Sequence, residues 1–258
     1  MQGSKNLPSF ALTGKTVLVT GAARGIGHAI ALACAEAGAD VALGLRDKAS
    51  DGGLAEKIAK IGRKVVVTQL DVTKMEQIDR AVTEIERSFG RIDVLVNNVG
   101  VGPENPAEKV TEADFDFTVS ANLKGTFFVT QKVGRGMIAR KSGRVVNMSS
   151  QAGSVTLFGE SIYCMTKAAI NHLTRCLAAE WAPHGITVNS VAPTFIYTDG
   201  TAPALADAEF KRRTLAHIPL GRIGETRDVA GAVVFLASEA ASLITGTNLL
   251  VDGGWSVA

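Results

Sequence analysis

Two hydrophobic periods alternate along the chain. Short, nearly continuous apolar runs rich in β-branched residues occur at Thr16–Thr20, Val41–Leu45, Lys64–Thr68, Asp93–Asn97, Val145–Ser149, Ile186–Val191 and Asn248–Val251. Runs of this length predict buried strands. Between them the apolar positions recur at helical spacing, over 28–37, 54–61, 74–89, 114–140, 161–181 and 227–237. Several of these stretches end on a residue suited to a helix stop: Gly38, Gly90, and Pro183 with Gly185. Strands separated by helices of this length predict a parallel sheet covered on both faces. No repeat, low-complexity segment or linker interrupts the pattern, so 1–258 reads as a single domain. Residues 1–11 read as an N-terminal tail. The stretch 194–218 shows little periodicity, and a long irregular segment inside a compact domain is expected to be a substrate lid.

Composition narrows the class. Of 258 residues, 46% are apolar and 20% charged, as in an ordinary soluble globular protein. The formal net charge of +2 is nowhere concentrated over a long run, which argues against a dedicated nucleic-acid binder. The loose basic clusters Arg135, Arg140, Lys141, Arg144 and Lys211–Arg213 read as solvated faces. The three cysteines are odd in number and lack metal-ligand spacing, so no metal site is expected and the thiols read as reduced, in a cytoplasmic protein. No apolar run reaches the roughly 18 residues that a membrane span needs.

The first candidate chemistry lies at the end of the first strand. Gly21-Ala22-Ala23-Arg24-Gly25-Ile26-Gly27 leads directly into a helix. Glycines let a backbone approach phosphates, and a helix N-terminus offers free N–H groups and a favourable dipole. The spacing is not the usual G-x-G-x-x-G, and a glycine turn alone is equally well a structural turn. At the tip of the second strand Leu45 stands where an acid would accept from a ribose 2′-hydroxyl, and Arg46 follows. Arg24 lies in the glycine turn. Two cations without an acid at the tip favour a 2′-phosphate, although Asp47 could neutralise Arg46 or bond the ribose. Asp71, at the end of the third strand, reads either as an adenine contact or as a turn-forming Asp.

The second candidate is Tyr163 with Lys167. Four residues apart in a predicted helix, their side chains share one face. A phenol ionises near 10 and must come down by about 2–3 units to work near neutrality, which a neighbouring ammonium can assist. Ser150, after the fifth strand, is a candidate hydroxyl for holding a substrate oxygen. Without a cofactor site beside them, a packed Tyr and a solvated Lys would give the same spacing. Asn122, inside a predicted helix, either points to solvent or distorts the ladder.

Taken together, these residues resemble the classical short-chain dehydrogenase/reductase family over residues 12–255. Thr20–Gly27 matches its cofactor motif and accounts for the glycine spacing, and Asn97-Asn98-Val99-Gly100 matches its Asn-Asn-Ala-Gly with one change. Asn122, Ser150, Tyr163 and Lys167 fall where the family has its catalytic tetrad, and Val251-Asp252-Gly253-Gly254 is also typical. The resemblance implies a three-layer, doubly wound Rossmann fold with a mainly seven-stranded parallel sheet. It implies cofactor contacts from Gly21, Arg24, Gly25, Ile26, Gly27, Arg46, Asp71, Val72, Asn98, Gly100, Tyr163, Lys167, Pro193 and Thr198, with NADP(H) favoured and NAD(H) second. Ser150, Gln151, Tyr163 and Thr194 are the expected substrate contacts. Thr194 departs from the glycine usual after the proline and adds a side chain beside the pocket.

The resemblance implies hydride transfer between nicotinamide and an alcohol or carbonyl carbon. Tyr163 would be the acid/base, Lys167 would lower its pKa and bond the ribose, and Asn122 would hold a water linking Lys167 to solvent. The polar residues Gln151, Thr156, Glu160 and Glu104 on pocket-flanking stretches suggest a small polar substrate, such as a sugar, polyol or sugar acid. A 3-oxoacyl-(acyl-carrier-protein) reductase is the alternative, with Arg140 and Lys141 to grip an acidic carrier and His184 where a stronger base is common. A cofactor-sensing regulator without turnover is a third reading, disfavoured because Tyr163 and Lys167 are both present. Neither nucleic acid nor membrane is an expected partner, and a homotetramer is.

Overall fold

The computed structural model describes residues 8–257. Most of the expected tail, residues 1–7, lies outside the described residues. Residues 8–11 do not trail away: the Ser9 carbonyl accepts from the Ala240 N–H at 3.2 Å, and the Phe10 ring lies 6.0 Å from that of Phe235.

Strands and helices alternate in the order β1 (Thr16–Thr20), α1 (Gly25–Glu36), β2 (Asp40–Leu45), α2 (Leu54–Lys60), β3 (Val65–Gln69), α3 (Met75–Phe89), β4 (Val94–Asn97) and α4 (Glu112–Val119). There follow α5 (Thr126–Ala139), β5 (Gly143–Met148), α6 (Ser161–Trp181), β6 (Ile186–Pro193), β7 (Ile196–Tyr197), α7 (Ala202–Ala206), α8 (Ala208–Ala216), β8 (Gly224–Glu225), α9 (Thr226–Ala237) and β9 (Asn248–Val251). Seven strands form one parallel sheet in the order β3-β2-β1-β4-β5-β6-β9.

The pleat divides each strand between two cores. Along β1, Val17 and Val19 pack with Ile30 and Cys34 of α1 and Val229 and Val233 of α9. Leu18, between them, packs on the other face with Ile78 and Val82 of α3, Val129 of α5 and Leu177 of α6. Alternate side chains face opposite ways, so a strand buried on both faces reads as a continuous apolar run, as β1 does from Val17 to Val19 between its two buried threonines. Each fully buried Leu, Ile or Val contributes about 1.5–3 kcal/mol relative to exposure. Helix α3 shows the complementary rule: Ile78, Ala81, Val82 and Ile85 are its buried residues, at the helical spacing.

Two stretches differ from the sequence expectation. The stretch 114–140, expected as one or two long helices, is two helices joined by a turn the sequence did not suggest, the π-helical Ser120–Gly125, with Asn122 inside it. The expected irregular lid at 194–218 is largely regular. It holds β7, which pairs with β8 in a second, two-stranded parallel sheet, and the short helices α7 and α8. Five- and nine-residue helices are too short to show a period. Pro203 also looks like a breaker, yet it sits in the first turn of α7, where its missing N–H is not needed.

Strand order reverses between β1 and β4, and the carboxyl ends of β1 to β6 open there onto one crevice. In open parallel sheets that switch point is where ligands bind.

Candidate active site

A cavity of about 960 Å3 occupies the crevice. One end is the glycine turn. Helix α1 starts without any side-chain cap, so its first N–H groups face the cavity. Two of its glycines cannot carry side chains. A Cβ on Gly21 would meet Val99 Cγ2 at 3.0 Å, with φ already at +68°, and one on Gly27 would collide with the Asn98 amide and the Gly21 carbonyl. Asn98 is the clamp: its Nδ2 donates to the carbonyls of Thr20 and Gly21, at 3.0 and 3.1 Å. Thr20 completes the junction, its Oγ1 accepting from the N–H groups of Asn98 and Val99. This uncapped helix end and bare backbone cradle fit a dinucleotide pyrophosphate.

Arg24 and Arg46 line the same end. Asp47, the candidate counter-charge, is otherwise engaged: its Oδ1 accepts from the Ala49 N–H at 3.0 Å and caps a 3-10 turn. Among the described residues, no carboxylate oxygen lies within 4.0 Å of either arginine. Asp71 forms the turn that one of its sequence readings expects. Its Oδ1 accepts from the N–H and hydroxyl of Thr73, at 2.9 and 2.7 Å, while the residue also lines the cavity.

At the other end stand Ser150, Tyr163 and Lys167. Ser150 follows β5 and is buried; its Oγ donates to Gln151 Oε1 at 2.9 Å and accepts from the Ala152 N–H at 3.1 Å. Tyr163 and Lys167 sit in the first two turns of α6, as the four-residue spacing requires. The Lys167 ammonium donates to the Met148 carbonyl at 2.8 Å and lies 5.4 Å from the centre of the Tyr163 ring.

Asn122 is 1% exposed and, of the predicted site residues, alone does not line the cavity. The π-helical turn points its amide at the loop after β4. Oδ1 accepts from the Val101 N–H at 2.8 Å, and Nδ2 donates to the Val101 carbonyl at 2.8 Å and to Thr166 Oγ1 at 3.0 Å. Thr166 in turn donates to the Tyr163 carbonyl at 2.8 Å. Asn122 therefore ties the loop over the tyrosine to the helix that carries it.

Electrostatically the folded chain departs from the expectation of an acidified phenol. Burial pushes Tyr163 up to about 12, the Ser150 hydroxyl pulls it partly back, and the charge of Glu160 raises it again. Burial also pushes the Lys167 ammonium down, to about 8. The two groups thus move apart from nearly equal ordinary values, the phenol rising and the ammonium falling, with Lys167 titrating closer to neutrality.

All other predicted site residues, from Gly21 to Thr198, line this one cavity; of the polar residues expected to flank the pocket, Gln151 and Glu160 line it, while Thr156 and Glu104 do not. Sequence reading missed Phe117 and Leu157, which supply apolar wall at the substrate end, because nothing local distinguishes them. It also missed a buried amide relay in which Asn97 Nδ2 donates to Asn147 Oδ1 and Thr130 Oγ1, and Asn147 Nδ2 donates to Thr174. An Asn at the end of two neighbouring apolar strands was the available signal.

Comparison with known proteins follows the same lines. Residues 21–256 match the family model described as enoyl-(acyl carrier protein) reductase. An NAD-dependent glycerol dehydrogenase of Listeria innocua is 42% identical over 248 residues, 96% of each chain. A 3-oxoacyl-(acyl-carrier-protein) reductase of Staphylococcus epidermidis is also 42% identical, over 93% of this chain and 98% of that protein. A gluconate 5-dehydrogenase of Burkholderia cenocepacia, solved in complex with NADP and tartrate, superimposes with a TM-score of 0.94 at 35% identity, covering 97% of this chain and 98% of that one.

Proposed function

The chain belongs to the classical short-chain dehydrogenase/reductase family and is an NAD(P)-dependent oxidoreductase; from that premise we propose that it interconverts the alcohol and carbonyl forms of a small polar substrate of the sugar, polyol or sugar-acid class. The observation that carries this reading is one continuous cavity, with a phosphate cradle at one end and Ser150, Tyr163 and Lys167 at the other. The nicotinamide, when bound, supplies or accepts the hydride. The protein's part is orientation and a proton. Tyr163 Oη exchanges the proton of the substrate oxygen, and Ser150 Oγ holds that oxygen by turning its hydrogen from Gln151. Lys167, protonated below about 8, favours the phenolate from one turn away. Asn122 fixes the loop that closes over the ring. The unpaired Arg24 and Arg46 support NADP(H) ahead of NAD(H).

Replacing Tyr163 with Phe tests the assignment. Turnover is expected to fall about 10²–10⁴-fold with NADPH affinity nearly unchanged, as for loss of a general acid. Near-normal activity of that variant across a panel of polyols and hydroxy ketones would refute it.

The acyl-carrier reading draws support from the Staphylococcus relative. Its proposed grip fits poorly. Arg140 and Lys141 precede β5 and His184 precedes β6, at the edge of the sheet opposite the cavity. The Arg140 guanidinium turns inward to donate to the Ile92 carbonyl.

We also propose a cytoplasmic homotetramer. Three unpaired thiols suit a reducing compartment. Exposed apolar side chains on the outer helices and last strand, among them Phe115, Phe127, Met165 and Leu250, suit burial between subunits. Among the described residues no helix is long and apolar enough to cross a membrane.

A further inference from the structure

The substrate end of the cavity carries a charge bias that the chemistry does not need. Glu160 lines it, half-buried at the start of α6. Glu104 stands beside it on the loop after β4. That loop is pinned there by the Asn105 N–H donating to the Gly159 carbonyl at 2.8 Å, and a Cβ on Gly159 would lie 3.2 Å from Glu104 Cγ. Among the described residues, no lysine, arginine or histidine nitrogen lies within 4.0 Å of either carboxylate. The cations that line the cavity are Arg24 and Arg46 at the adenosine end, and Lys167, whose ammonium is held by the Met148 carbonyl.

The neutral polar groups at this end are underused. Gln151 is 2% exposed; its Oε1 is taken by Ser150, while its Nε2 has no acceptor among the described residues. Thr194, 9% exposed, has an Oγ1 without a partner.

We propose, on the basis of the hydride-transfer reading above, that the site selects its substrate by charge, taking an uncharged polyol or the corresponding ketose and turning away the matching sugar acid. An incoming carboxylate would meet Glu160 in the wall, with the charge of Glu104 behind it, while the cation lining this end, Lys167, is already engaged by the Met148 carbonyl; in the partly desolvated surroundings of Glu160 like charges repel more than in water. Glu160 already registers this environment: burial first, then the charge of Glu104, raise its carboxyl above the ordinary value. A neutral polyol meets no such repulsion. Its hydroxyls can donate to the Glu160 carboxylate, accept from the free Gln151 N–H and pair with the Thr194 hydroxyl.

The test uses the intact protein with NADP⁺ or NAD⁺ and pairs differing only in a terminal CH2OH against a carboxylate: glycerol and glycerate, xylitol and xylonate, sorbitol and gluconate. The uncharged member of the best-used pair is expected to have the higher kcat/KM, by at least about tenfold. In Glu160→Gln, and in the wild type at 0.5 M NaCl, that ratio should narrow about five- to tenfold, the scale of one screened unit-charge interaction. Calorimetric titration with gluconate should show tighter binding to Glu160→Gln than to the wild type. If Glu160→Gln does not fold, Glu104→Gln, on an exposed loop, should narrow the ratio by a smaller factor. Preference for the acid member, or a ratio indifferent to both substitution and salt, overturns the charge selection and leaves the oxidoreductase assignment standing. No turnover of either member of any pair overturns the polyol reading, and the charge selection with it.

Discussion

Lys167 is 3% exposed and, among the described residues, has no carboxylate partner, only a backbone carbonyl. A buried ammonium is a cost to the fold. Its folded value of about 8 lies below the 10.5 of an ordinary lysine, so the unfolded chain binds more protons between those limits. Stability contributed at this site therefore rises as pH climbs from about 8 to 10.5, and the full cost is present below 8. Lys167→Met should accordingly stabilise the fold at pH 7 by about 2 kcal/mol, after allowing for the lost hydrogen bond, while removing turnover. The gain should fade as pH approaches 10.5. Thermal melts of both proteins across that range check the sign; a variant less stable at pH 7 counts against a desolvated ammonium. The same scale decides cofactor choice. Arg46 has no paired acid, and Asp47 is spent on the Ala49 N–H. Arg46→Asp is expected to lower the ratio of kcat/KM for NADP(H) over NAD(H) by at least tenfold, through loss of a cation and gain of an anion; an unchanged ratio rules Arg46 out as the determinant.

Among the elements, the π-helical turn between α4 and α5 departs most from regular expectation. Distorted turns of this kind cluster at functional sites. This one faces a short polar side chain inward, where Asn122 makes three hydrogen bonds to two other segments. Asn122→Ala would strand the Val101 N–H and carbonyl and free the loop over Tyr163. A loss of about 2–4 kcal/mol is expected from buried groups left unpaired, together with a fall in kcat larger than any change in KM for NADPH. Denaturant unfolding and steady-state kinetics measure the two effects. Stability lost with kcat intact would reduce Asn122 to a purely structural tie. The boundaries of α6 and of β1, β6 and β9 were largely legible from period and stop signals. The π-helical turn was not, because it depends on what the side chain meets across the fold. Nor were α7 and α8, which are shorter than the window in which a period shows.

For the whole molecule, the exposed apolar residues of α4, α5, α6 and β9 bear on assembly. Light scattering is expected to give about four times the 26.9 kDa chain mass, and a monomer at micromolar concentration would remove the interpretation of those faces as interfaces. The chain order of strands and helices was enough to predict a doubly wound sheet, since βαβ units close only as parallel sheets with helices on both faces. The family resemblance, rather than local spacing, grouped Gly21–Gly27, Ser150, Tyr163 and Lys167 as one expected site, since spacing alone suited a structural turn, a packed tyrosine and a solvated lysine equally well. Tertiary structure decided the rest. Protonation depends on how much water a group loses, which put the phenol near 12 and the ammonium near 8 against the expectation of an acidified tyrosine. The pairing of Glu104 with Glu160, 56 positions later in the chain, follows from how the loops after β4 and β5 meet above the sheet, a contact that no local pattern encodes.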